Sequence, residues 1–67
     1  MDWNLQDVRS WIEQLEQCPR GSVGDGYAKD INQFLNDIRQ GGLWKAHSEL
    51  WKRGQEAVIQ YHKRRKE

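Results

Sequence analysis

The sequence contains few of the residues that usually cross-link or brace a small domain. Cys18 is the one cysteine in 67 residues, so no disulfide can form within the chain. The two histidines, His47 and His62, have no cysteine or carboxylate at the spacing of a familiar metal site, and we expect neither a metal nor another cofactor. Because a chain of this size buries only a thin core, self-association is the usual support that remains.

Long apolar runs are missing as well. The longest unbroken runs have two or three residues, which excludes a membrane-spanning helix of about 20 residues. The segment 1–4 is acidic and lacks the apolar stretch of a signal peptide. A lone thiol at Cys18 fits a reducing compartment. We therefore expect a cytoplasmic protein.

The residue combinations that catalysis requires are also absent from the sequence pattern. Ser48 adjoins His47, but neighbouring helical residues point about 100° apart and cannot form a nucleophile–base pair. The carboxylates fall on predicted outer faces, and a chain this short has little room for a pocket that excludes water. We expect no enzymatic activity.

Apolar residues at helical spacing predict an all-α fold with three helices, over about 4–17, 27–40 and 43–64. The first apolar stripe consists of Leu5, Val8, Trp11, Ile12 and Leu15, and the second of Tyr27, Ile31, Phe34, Leu35 and Ile38. Trp11 is the first choice for a core residue. One domain over 1–67 is expected, a compact helical bundle whose long C-terminal helix is able to pair with another chain.

Local signals mark the ends of these helices. Asn4 is a good N-cap for the first helix, and Pro19 ends it by restricting the residue before it. Three glycines within 19–26 predict a flexible loop there. Gly41 and the glycine after it stop the second helix.

The third helix contains a near-repeat in which Leu, Trp, Lys and Glu recur seven residues apart, over 43–49 and 50–56. A seam with steps of 4, 3, 4, 3 and 4 residues runs through it. The seam consists of Leu43, His47, Leu50, Gly54, Ala57 and Tyr61. This spacing of about 3.5 residues keeps one helix against another over its length. Two heptads are fewer than a coiled coil requires, so the first interpretation is one long amphipathic helix packed across the first two helices, and pairing with a second chain is the alternative. The helix is also predicted to be about eight residues longer than either partner, so that its far end would overhang a monomeric bundle.

The leading hypothesis is a protein–protein interaction module that self-associates through the third helix. Four tryptophans are many for so small a core, and tryptophan, tyrosine and arginine are the usual anchors of interfaces. The candidate partner-binding residues are Trp44, Trp51, Tyr61, Gly54 and His47. An accessory or inhibitory regulator, of the kind that phages and other mobile elements encode, fits this description.

Nucleic-acid binding is the first alternative. Residues 43–67 carry seven basic and three acidic residues, a charge of +4, whereas 1–42 carry four basic and seven acidic residues, a charge of −3. Basic side chains neutralise phosphates by counterion release, although the pI of 7.9 is below the values above about 9 that are typical of such domains. The candidates are Lys52, Arg53, Lys63, Arg64, Arg65 and Lys66.

Capture of a small anionic ligand or nucleotide by an oligomer is the second alternative. The glycine-rich segment 19–26 precedes a predicted helix, and backbone amides at a helix start bind anions. Arg20 and Lys29 would add positive charge. The spacing matches neither a Walker loop nor a dinucleotide-binding fingerprint, and Asp25 would repel a phosphate.

Overall fold

Three α-helices and one short turn form the fold that a computed structural model describes for residues 3–64. Helix α1 spans Leu5–Gln17, α2 spans Ser22–Gln40 and α3 spans Ser48–Lys63, with a 3₁₀ turn at Leu43–Lys45 before α3. Each helix packs against both of the others. The predicted all-α three-helix bundle is therefore confirmed.

Helix α1 begins and ends where local sequence signals place it. The Asn4 side chain accepts hydrogen bonds from the backbone N–H of Gln6 at 3.0 Å and of Asp7 at 3.4 Å, which satisfies two of the donors that a helix start leaves open. Cys18, the residue before Pro19, is extended, as the proline ring requires.

Helix α2 begins at Ser22, five residues before the predicted start, so most of the predicted glycine-rich loop is helical. Glycine is a poor helix former, and here a tertiary contact outweighs that preference. Gly24 is buried, and a Cβ added to it would lie 2.7 Å from Cζ of Tyr61 in α3. The helix ends at Gln40, with Gly41 as its C-cap and a left-handed φ of 77° at Gly42, where the two glycines are predicted to stop it.

The predicted start and length of the third helix are wrong. Leu43–Lys45 forms a separate 3₁₀ turn, and His47 leaves helical geometry at φ −124° and ψ 40°. Helix α3 has 16 residues, which is more than the 13 of α1 but fewer than the 19 of α2. Within residues 3–64 it is therefore not longer than both of its partners. The turn packs against α2, because the left-handed Gly42 redirects the chain there before α3 starts.

The core lies on the axis where the three helices meet. It consists of Val8, Ile12, Leu15, Ala28, Ile31, Phe34, Leu35, Ile38, Ala57 and Tyr61. Trp11, expected in the core, is half-buried and packs against its edge. Its indole lies edge-to-face with Trp3, at a centroid separation of 6.3 Å.

Half of the predicted seam packs inside the single chain. A Cβ added to Gly54 would lie 3.2 Å from both Ile12 Cδ1 and Leu35 Cδ2, so α3 approaches α1 and α2 closely at this glycine. Ala57 and Tyr61 are buried beside it. Within residues 3–64, no helix has both the length and the apolar character needed to cross a membrane.

Candidate partner-binding surface

Arg39, Trp44 and Trp51 form a cluster that we call the tryptophan corner. The two indole rings lie 5.8 Å apart between centroids and are tilted by 47°. The Arg39 guanidinium carbon lies 6.0 Å from the Trp51 ring centroid. Both tryptophans are half-buried and Arg39 is exposed, so the corner presents aromatic and cationic surface to solvent.

A specific hydrogen bond fixes the orientation of this corner. The Trp51 Nε1–H donates to the carbonyl oxygen of Leu35 at 3.0 Å, which ties α3 to α2. The 3₁₀ turn holds Trp44 against the core edge, while Leu43 next to it remains 57% exposed. The arrangement of the corner is therefore fixed by contacts within the chain.

The corner opens into a groove between α2 and α3. One segment encloses about 350 Å³ and is lined by Asn32, Leu35, Asn36, Arg39, Trp51 and Gln55. A second segment encloses about 310 Å³ and is lined by Asp25, Ala28, Lys29, Asn32, Val58 and His62. Because Asn32 lines both segments, we treat them as one feature, the α2–α3 groove.

Tyr61 connects α3 to the start of α2 by a partly buried hydrogen-bond network. Its hydroxyl accepts from the Gly21 N–H at 3.1 Å and lies within donating distance of Asp25 Oδ1 at 2.7 Å and of the Gly21 carbonyl at 2.9 Å. Arg20 covers the phenol ring at 5.0 Å and donates to the His62 carbonyl at 3.0 Å. The Gly21 amide, which an anion would need, is therefore already engaged.

Burial raises the pKa of the Tyr61 phenol above its ordinary value of 10.0, while the hydrogen bond from Gly21 opposes this shift. Unfolding restores the ordinary pKa, so the unfolded chain loses this proton first as the pH rises. We expect the contribution of Tyr61 to stability to be complete below about pH 10 and to fall above it. Denaturation midpoints measured from about pH 8 to 11 should decline more steeply for the parent than for Tyr61→Phe. Parallel curves would contradict this assignment.

Three of the basic candidates are engaged within the bundle. Arg64 donates to the carbonyls of Leu15 at 2.8 Å, of Glu16 at 2.6 Å and of Cys18, at the end of α1. Arg53 forms a two-pronged ion pair with Glu16, at 2.8 and 3.2 Å. Arg20 lies over Tyr61, as described above.

The other basic candidates are not gathered at one place. Lys29 lines the groove, whereas Lys52 and Lys63 are exposed on α3. Arg65 and Lys66 lie outside the described residues. Among residues 3–64, no group of three or more histidine, cysteine or carboxylate side chains is placed to hold a metal ion.

The structure separates the predicted partner-binding residues into two sets. Trp44 and Trp51 lie together at the corner. Gly54 and Tyr61 are buried in the bundle, so neither has surface to offer a partner. His47 is half-buried and lines a different depression, between the starts of α1 and α3. Self-association stays a prediction, and it would have to use surfaces other than the buried half of the seam.

Sequence reasoning missed the polar part of this surface. Asn32, Asn36 and Arg39 recur at steps of four and three residues, a helical stripe, but the periodicity only marks them as an outer face. Which neighbouring helix borders that face is decided by the packing of α3.

Comparison with models of protein families, with curated proteins and with solved structures finds no match for this chain. Its binding preference has to be inferred from its own surface chemistry.

Proposed function

We propose that this chain is a small, non-enzymatic binding protein that recognises another protein through the tryptophan corner. The observation that carries the proposal is the fixed, half-exposed pair of Trp44 and Trp51 beside Arg39. Tryptophan and arginine dominate binding energy at protein interfaces. A preformed arrangement also reduces the entropy that binding costs.

The incomplete burial of the tryptophans supports this proposal. All four, including Trp3 and Trp11, are half-buried, whereas Phe34 and Tyr61 are fully buried. Large aromatic side chains that keep part of their surface in water are typical of interaction sites.

The same geometry favours a protein over a nucleic acid as the partner. Base stacking needs a free aromatic face, but Arg39 and Trp44 both lie against the Trp51 ring. Three arginines that could bind phosphates are engaged within the bundle instead. Exposed lysines remain, and they make nucleic-acid binding an outcome to be tested.

The proposal extends to an accessory or inhibitory regulator in the cytoplasm. The small size and the lack of catalytic groups in the sequence pattern support a role that acts by occupying another protein's surface. An origin in a phage or another mobile element, and assembly with further copies of the chain, are expectations from size and composition.

We expect Arg39→Glu to abolish binding of the partner, because it reverses the charge at the tryptophan corner without altering a core residue. The measurement is quantitative mass spectrometry of proteins cross-linked to a tagged chain in the cells that produce it. The recovered amount of at least one cross-linked protein should fall more than about tenfold with Arg39→Glu. A tenfold loss of affinity corresponds to roughly 1.4 kcal/mol of binding free energy.

Lys63→Glu is the matched control, since it makes the same charge change at an exposed position of α3. The partner should persist with this control and after nuclease treatment. Equal losses for the two variants, or loss on nuclease treatment, would instead support nucleic-acid binding and refute the proposal.

A further inference from the structure

We infer that the α2–α3 groove receives an amphipathic helix of the partner protein that carries acidic side chains at both ends of its contact face. This inference rests on the proposed function and names the chemistry of the partner. It follows from three features of the groove, which are its helical period, its amide walls and its charged ends.

The floor of the groove has the dimensions of a helix several turns long. From α3 it is lined by Trp51, Gln55, Val58 and His62, at steps of four, three and four residues. From α2 the lining runs from Asp25 to Arg39, which is about 21 Å of helix axis. Helices that bind in grooves present anchors at the same steps.

Apolar atoms form the bottom of this floor. Ala28 and Leu35 are buried members of the core that border the groove, and Val58 and Trp51 are half-buried beside them. Ile59, 40% exposed, lies about 40° farther round α3 than Gln55 and extends the apolar surface outward. An apolar stripe along one side of a partner helix would be covered here.

Amide side chains form the walls. Asn32, Asn36 and Gln55 line the groove, and within residues 3–64 none of them forms a side-chain hydrogen bond with another residue. A helix satisfies its own backbone groups, so these amides would meet polar side chains that flank its apolar stripe. An extended strand would instead need regularly spaced partners for its backbone, which three amides cannot provide.

The charge of the groove selects an acidic occupant. Arg39 lies at one end and Lys29 toward the other, about 15 Å apart along α2. Asp25 is the one acidic residue of the lining, and its carboxylate accepts a hydrogen bond from Tyr61 on the side of α3. Arg39 and Lys29 against Asp25 leave the lining with a net charge of +1. Glu13 and Glu16 lie beside Arg53, between α1 and α3. Two carboxylates about ten or eleven residues apart on the partner helix would therefore complement the groove.

The test is an NMR titration of the ¹⁵N-labelled full chain with two synthetic peptides. The first is an alanine-rich helical peptide of about 16 residues with leucines at helical spacing and two glutamates about eleven residues apart. The second carries lysines in place of those glutamates. We expect the acidic peptide to shift the side-chain amide signals of Asn32, Asn36 and Gln55, and the basic peptide to leave them unchanged.

Charge reversal supplies the decisive variant. Arg39→Glu should weaken binding of the acidic peptide at least about tenfold and strengthen binding of the basic peptide. Lys63→Glu should change the affinity for either peptide by less than about threefold. Shifts on another face, no shifts at millimolar peptide, or equal shifts with both peptides would overturn the inference. A single-stranded oligonucleotide that shifts the same amides at lower concentration than the acidic peptide would overturn it as well.

The two proposals fail in different ways. If Arg39→Glu removes a cellular protein partner while the acidic peptide leaves the groove unperturbed, the proposed function stands and the acidic helix is the wrong occupant. If no protein partner depends on Arg39 in cells, the proposed function fails, and this inference falls with it even when the peptide binds.

Discussion

We expect Gly24→Ala to cause a larger loss of stability than any other substitution proposed for this chain. An added Cβ would overlap the phenol ring of Tyr61, lying 2.7 Å from its Cζ. The ring is fully buried and its hydroxyl is held by Gly21 and Asp25, so it cannot move aside without breaking those hydrogen bonds. Overpacking of this kind costs about 1–3 kcal/mol, and a hydrogen-bonding group left buried without a partner costs about 1–3 kcal/mol more.

Thermal unfolding followed by circular dichroism measures this loss. Each kcal/mol shifts the midpoint of a domain of this size by about 4–8 °C. Gly26→Ala is the matched control, because it lies in the same helix and its added Cβ would meet no atom within 4 Å. Alanine there should raise stability by about 0.5–1 kcal/mol. If both variants stabilise, the close contact between α2 and Tyr61 is refuted.

Replacing Arg64 with alanine is expected to cause the second large loss of stability, because carbonyls at the end of α1 would lose a hydrogen-bond donor. The last carbonyls of a helix have no partner within the helix, and α1 has no basic residue in its own last turn. From the far end of α3, Arg64 donates to two carbonyls in the last turn of α1, those of Leu15 and Glu16, and to that of Cys18, the residue after the helix. Hydrogen bonds that involve a charged group contribute about 1.5–3 kcal/mol, and we expect a loss of that order.

Chemical denaturation of Arg64→Ala beside Lys63→Ala checks this assignment, because Lys63 is exposed and adjacent. Lys63→Ala should change the midpoint little. Arg64→Lys should recover only part of the loss, since an ammonium group lacks the planar fork that reaches several acceptors. Equal effects of the two alanine variants would show that Arg64 does not close the helix.

Local signals made α1 predictable, whereas long-range contacts decided the start of α2. The cap at Asn4 and the stop at Pro19 act within a few residues of the helix ends. Gly24 is helical because Tyr61, 37 positions away in the sequence, packs against it. The frequency of glycine alone predicts a loop, because no residue near Gly24 in the sequence indicates that the Tyr61 ring occupies the space beside it.

The third helix shows a second limit of pattern analysis. A repeat of about 3.5 residues places one stripe against a neighbouring helix, but it does not say whether that neighbour belongs to the same chain. Here Gly54, Ala57 and Tyr61 pack against α1 and α2. The break at His47 was also hidden, because the leucine and tryptophan repeat continues across it.

The candidate site was predictable in part for a similar reason. Trp44 and Trp51 stand out by residue type, and the structure brings them together. Arg39 joins them from α2, which requires knowledge of how α2 and α3 are aligned. The sequence also does not show which basic side chains are engaged within the fold, because the acceptors of Arg53 and Arg64 lie 37 to 49 positions away.

The position of Tyr61 and Arg64 near the end of α3 has a consequence for how the bundle forms during synthesis. Translation proceeds from the N-terminus at about 5–20 residues per second, so roughly 1–5 s pass between completion of α2 and the addition of Arg64. Helices form within microseconds. Synthesis, rather than helix formation, therefore sets when the bundle can close, because the residues that cover the end of α1 and fill the space beside Gly24 come from the end of α3.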